Sequence, residues 1–130
     1  MSKFKAVLDT NILVSALLSP EGNPAKIYRM FLSEKLSLIY STGIFEEYKD
    51  VLFRLRLGIL ENDAKAILTA VWQYGQKIEP LPSIHVMIDE DDRIFYDTAK
   101  NAEAYLITGN KKHYPQTSFI ITPAEFLELI

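Results

Sequence analysis

A chain of 130 residues with no cysteine, 48% hydrophobic and 24% charged, is long enough to bury one core without disulfide or thiolate–metal staples and leaves no room for a second domain, so a single domain over 1–130 is expected. Its formal charge of −3, from 14 basic against 17 acidic residues, creates a field that does not favour polyanions; a nucleic-acid partner would need bound cations or a local basic patch. The N-terminus lacks the charged, apolar and small-residue succession of a signal peptide, and Ile12 to Leu18 is too short to span a bilayer, which predicts a soluble, cytoplasmic protein with no membrane partner.

The first element is the run Lys5-Ala6-Val7-Leu8, which stops at Asp9-Thr10-Asn11. A short apolar run bounded by polar residues reads as a strand buried on both faces, the kind found inside a parallel sheet. Asp9 then stands at the carboxyl end of that strand, the edge where open α/β sheets bind ligands. Read alone, Asp9 or Asn11 is equally a cap for the next helix. Ile12 to Leu18 predicts a short buried helix, ended by Pro20, Gly22 and Pro24. Asn23-Pro24 opens a second helix, with Asn23 as cap and Ile27, Met30 and Phe31 on its apolar face.

Leu36 to Tyr40 reads as the next strand. Thr42 is placed to cap a long helix whose apolar face is Ile44, Tyr48, Val51, Leu52 and Leu55, with Gly58 as its stop. On that helix Glu46 shares its side with Lys49 and Asp50, whereas Glu47 lies three residues after Ile44 and four before Val51, at the border of the buried face. A further helix over Asn62 to Tyr74 turns Ile67, Leu68, Val71 and Trp72 inward. Ile78 to Leu81 is a short strand or an extended link; Pro80 and Pro82 argue against a central strand. The acidic segment Asp89-Glu90-Asp91-Asp92 leads into a helix marked by Ile94, Phe95, Thr98, Ala99 and Ala102. Tyr105-Leu106-Ile107 is an apolar run ending in Thr108-Gly109-Asn110, Phe119-Ile120-Ile121 is another, and Thr122-Pro123-Ala124-Glu125 is a capping box for the last helix. Strands alternating with helices predict an α/β fold, a mostly parallel sheet of four to five strands with helices on both faces.

That layout sends Asp9, Asn110 and Asp92 to one crevice, with Glu47 pointing inward. Carboxylates gathered without a cation drive one another toward protonation; a divalent metal removes the conflict. An all-oxygen set without nearby His or Cys ligands suits Mg²⁺ or Mn²⁺. Lys111, Lys112 and His113, just past Asn110, are candidates to hold substrate phosphate, with Arg93, Arg54 and Arg56 as weaker ones. The seven tyrosines do not cluster and read as core or rim packing, with Tyr114 the one candidate for stacking a base.

Four segments in order, Val7-Leu8-Asp9-Thr10-Asn11, Ser41 with Ile44-Phe45-Glu46-Glu47-Tyr48, Asp89 to Phe95 with Ala99, and Leu106-Ile107-Thr108-Gly109-Asn110, resemble the PIN domain, a metal-dependent ribonuclease fold common as the toxic half of toxin–antitoxin pairs. The resemblance implies that Asp9, Glu47 and Asp92 are catalytic and hold the metal, with Thr10 and Asn11 ordering the first acid and Ser41 lining the site. It implies hydrolysis of RNA to 5′-phosphate and 3′-hydroxyl ends, self-association as a homodimer, and an antitoxin protein as partner. Many members carry an acid after Thr-Gly; here Asn110 can ligate through its amide oxygen but brings no charge, which favours one firmly held ion over two. Asn110 also keeps open an alternative, a catalytically weakened RNA- or antitoxin-binding module. A lower alternative, a haloacid-dehalogenase-like phosphatase, wants a second Asp two residues after the first, where this chain has Asn11.

Overall fold

In the computed structural model, which describes residues 4–130, five strands form one parallel sheet in the order β3-β2-β1-β4-β5. They are β1 (Phe4–Leu8), β2 (Leu36–Tyr40), β3 (Gln76–Lys77), β4 (Tyr105–Ile107) and β5 (Ile120–Ile121). Between them run α1 (Thr10–Leu18), α2 (Asn23–Leu32), α3 (Thr42–Leu52), α4 (Glu61–Tyr74) and α5 (Arg93–Ala102), and α6 (Pro123–Glu128) closes the chain. The predicted α/β class and parallel sheet are therefore as observed. Ala6, Val7 and Leu8 are consecutive and wholly buried, so both faces of β1 are covered, as a parallel sheet requires. Helix α5 packs across β1, β2 and β4, while α1 and α2 pack on each other and α2 on α6. Among the described residues no helix is long and apolar enough to cross a membrane.

The strand order decides where function can lie. The chain builds outward from β1 through β2 to β3, then returns to the other side of β1 with β4 and β5. The reversal opens a crevice beyond the carboxyl ends of β1 and β4, the position at which such sheets bind ligands. Leu8 is in register with Ile107, and the Asp9 N–H donates to the Ile107 carbonyl at 2.9 Å. Asp9 and Thr108 are thus brought together by backbone pairing before any side chain contributes.

Four local expectations are corrected, and of the two readings of Ile78 to Leu81 the extended link is the one observed. Ser41, not Thr42, caps α3, its Oγ accepting from the Ile44 N–H; Thr42 instead donates its N–H and hydroxyl to Glu79. Gly22, not Asn23, occupies the cap of α2, and no side chain caps that end. Helix α3 stops at Leu52, well before Gly58, whose φ of +71° serves the turn after a 3₁₀ segment; the side chain of Leu55 lies outside the described residues. Trp72 is 69% exposed while Ile67, Leu68 and Val71 are buried, because α4 packs chiefly on α3 and its buried stripe is narrow. The edge strand β3 is Gln76–Lys77, pairing with Ile39–Tyr40, and Ile78 onward is the link. It begins that early because α4 turns straight into it at Gly75, where a Cβ would lie 2.5 Å from the Val71 carbonyl oxygen and 2.9 Å from the Tyr40 ring.

Candidate active site

Asp9 stands at the cap position of α1, yet its side chain makes no capping bond. It turns into the crevice instead. Its Oδ2 accepts from the Thr108 hydroxyl at 2.7 Å, the Tyr114 hydroxyl at 3.1 Å and the Asn11 amide at 3.4 Å. Asn11 in turn accepts the Gly109 N–H at 3.2 Å, and the Thr108 Oγ accepts the Asn110 N–H at 3.0 Å. The ends of β1 and β4 are therefore laced together through one carboxylate, and all these side-chain donors land on the same oxygen. A carboxylate held this way has one oxygen fixed and the other free of side-chain donors, which suits a group that must present charge in a set direction.

Glu47 rises from the border of α3 as its phase predicted, and accepts the Thr10 hydroxyl at 2.8 Å. Tyr48 beside it is wholly buried and donates to the Leu8 carbonyl, which fixes α3 against the end of β1. Asp92 ends a 3₁₀ turn, Glu90–Asp92, whose cap is Asp89 accepting the Asp91 N–H at 2.9 Å.

The electrostatics report on how close these groups stand. Burial lifts the Asp9 carboxyl above its ordinary value, opposed by the bonds from Thr108 and Tyr114 and by the nearby His113. Asp92 is pushed up to about 6 by burial first, then by the charges of Asp9 and Asp89, with Glu47 adding and His113 opposing. Asp9, Glu47 and His113 are therefore all near enough to act on Asp92. Among the described residues, however, no group of three or more His, Asp or Glu side chains is already arranged to hold a metal ion; Glu47 gives one oxygen to Thr10 and keeps the other. One buried and two half-buried carboxylates with hard oxygen donors fit a divalent cation, which would relieve the repulsion that adds to burial in raising Asp92.

A sign follows for stability. An acid whose native pKa is raised costs stability wherever it is ionised: the cost is absent below the ordinary value of 3.8 and complete above about 6. In chelator-treated protein, Asp92→Asn is expected to raise the melting temperature near about pH 7.5 and to lose that advantage toward about pH 4. Scanning fluorimetry across the range checks it; an advantage independent of pH would show that charge is not its source.

The remaining candidates are distributed less simply. Asn110 is exposed, with Lys112 and His113 following it in a 3₁₀ turn, while Lys111 is engaged with Glu125 at 3.0 Å. Ser41 is wholly buried and used as the α3 cap. Arg93 is a strut, donating to Glu90, Ser83 and His85, and Arg54 lies in an exposed ion pair with Asp50. Tyr114 is 4% exposed and cannot stack a base. Its role as a donor to Asp9, like that of Thr108, was missed. Thr108 had a signal, since parallel pairing of the two central strands sets the residues after them side by side; Tyr114 reaches Asp9 from a loop and had none.

Comparisons with known proteins agree with this architecture. An uncharacterised protein of Methanocaldococcus jannaschii, MJ1680, is 39% identical over 113 residues, covering 84% of this chain and 72% of its own length. Among solved structures, PAE2754 from Pyrobaculum aerophilum superposes with a TM-score of 0.60 at 20% identity, covering 97% of this chain and 88% of that one. VapBC2 from Rickettsia felis, solved bound to a DNA fragment from its promoter, gives 0.58 at 14% identity over 92% and 97%. These two likenesses speak for the fold. The family assignment comes from the sequence match to the PIN domain over residues 5–112, which spans β1 through the turn after β4: the chain belongs to the PIN domain family.

Proposed function

We propose that this protein is a ribonuclease dependent on Mg²⁺ or Mn²⁺, hydrolysing RNA phosphodiester bonds in the cytoplasm as the toxin of a toxin–antitoxin pair, and that it self-associates as a homodimer. The observation that supports this is Asp9: a buried carboxylate at the sheet's switch point, locked by three side chains through one oxygen, with Asp9 and Glu47 both close enough to Asp92 to raise its carboxyl. Asp9, Glu47 and Asp92 would hold the metal, with Asn110 as a neutral fourth ligand; when bound, the ion supplies Lewis acidity at a phosphoryl oxygen and lowers the pKa of water. Asp92 or Asp9 would orient the attacking water. Thr10 and Asn11 fix the acids, and Lys112 and His113 offer positive charge to the RNA backbone. The likeness to VapBC2 supports an antitoxin partner.

The test is cleavage of single-stranded RNA by purified protein with Mn²⁺ and with chelator, the products carrying 5′-phosphate and 3′-hydroxyl ends. The neutral, exposed Asn110 favours the second reading, a binding module with weakened catalysis. Asn110→Asp is expected to tighten Mn²⁺ binding about tenfold by adding a charge, measured by calorimetry. RNA binding without cleavage in either form would select the binding module.

A further inference from the structure

From Ile78 to Met87 the chain runs with neither helix, turn nor bend, yet it is firmly held to α5. Leu81 exchanges hydrogen bonds with the Asn101 side chain, the Ser83 N–H donates to Asp97 at 3.1 Å, and Arg93 donates to the Ser83 carbonyl at 2.9 Å and the His85 carbonyl at 2.6 Å. His85 stacks on Tyr96 at 5.4 Å and Met87 is buried. The alternate residues face away: Ile84 is 102% exposed, Val86 87% and Ile88 72%. This is the period of a strand with one face docked, but the free face is a row of β-branched aliphatics. Single exposed apolar residues are ordinary; a contiguous row on a fixed backbone marks a contact surface.

We propose that this row is the surface through which two copies of the chain associate, their Ile84–Ile88 segments lying antiparallel about a two-fold axis at Val86. The proposal rests on the self-association put forward above and names its interface. The outward residues read Ile-x-Val-x-Ile, the same in both directions. A two-fold contact demands such self-complementarity: Val86 meets its own copy, and Ile84 of each copy lies against Ile88 of the other. The register also resolves the charges. Centred on Val86, Asp89 and Glu90 fall opposite the neutral Ser83 and Pro82; centred on Ile88, Glu90 would be pressed against Val86. Prolines at one end and acids at the other confine the contact to five residues and leave a polar rim around an apolar centre. Because Ile88 leads directly into the turn that carries Asp92, the contact also anchors the approach to the acids.

The chain has no cysteine, so single cysteines report geometry cleanly. Wild type is expected to sediment at twice the 14.9 kDa of the chain, and Val86→Asp, which sets like charges together on the axis, at once that mass with unchanged circular dichroism. Under mild oxidation Val86→Cys should form a covalent dimer, Ile84→Cys alone should not, and Ile84→Cys mixed with Ile88→Cys should. A monomeric wild type at about 100 µM overturns both the interface and self-association. A dimer that survives Val86→Asp and is not trapped through Val86→Cys overturns the interface alone. RNA cleavage by the wild type is a separate readout, and neither result bears on it.

Discussion

Asp9→Asn is expected to lower metal-dependent RNA cleavage by about 10³-fold or more while leaving the fold intact, because the substitution removes charge and little else. The amide oxygen of Asn can occupy the place of Oδ2 and keep the bonds from Thr108, Tyr114 and Asn11, so the lacing between β1 and β4 survives. Burial already disfavours the ionised Asp9, so the metal-free variant should melt no lower than wild type at neutral pH. What it loses is the charge that a hard cation needs, and with it the thermal stabilisation by Mn²⁺, which grows with the ratio of free ion to dissociation constant. Three measurements on one preparation decide it: melting with chelator, melting with Mn²⁺, and RNA cleavage. Cleavage at the wild-type rate by Asp9→Asn would assign the activity to a contaminant.

How far such a site can be read from sequence depends on which physical signal each part leaves. The strand before Asp9 was legible because Ala6, Val7 and Leu8 are buried on both faces, and only a central parallel strand reads as an unbroken apolar run. Glu47 was separable from Glu46 by helical phase, and the structure keeps Glu46 exposed and Glu47 half-buried. Phase failed for Trp72, since the width of a buried stripe is set by what packs on the helix, which the helix's own sequence does not contain. The assignment of Thr42 as cap failed for a related reason: Ser41 and Thr42 are chemically equal caps, and Glu79, a distant residue in sequence, takes the threonine. The strand-like row at Ile84 to Ile88 drew no reading from sequence, because it pairs with no strand and is docked on a helix instead, a partner that its own alternation does not name. Tyr114 shows the general limit. Its hydroxyl reaches Asp9 across 105 positions of chain, and no local pattern encodes that meeting.

The second large effect is expected at Thr108, which acts on the site only through Asp9 and Asn110. Thr108→Val keeps the volume but removes the 2.7 Å bond to Asp9 and the acceptor for the Asn110 N–H. The Asn110 amide can turn to water, since that residue is exposed; Asp9, 8% exposed, has no such recourse. The bond is the foremost influence holding the Asp9 carboxyl down against burial, so its loss raises that carboxyl further and weakens its hold on a cation. Losing a hydrogen bond to a carboxylate that holds a metal reduces metal affinity by about 10- to 100-fold, and the buried charge, left with the longer bonds from Tyr114 and Asn11, costs about 1–3 kcal/mol of stability. The cost is present only where Asp9 is ionised: full at neutral pH, shrinking as pH falls through the raised Asp9 value, and gone by the ordinary value of 3.8. Thr108→Ser, which restores the hydroxyl, should recover most of both effects, whereas Tyr114→Phe, losing a longer bond of 3.1 Å, should show a smaller version of them. Mn²⁺ calorimetry with melting curves at neutral and acid pH reads all three variants. Equal Mn²⁺ affinity in Thr108→Val and wild type would mean that Asp9 does not hold the ion, and the metal would then have to be sought away from the switch point.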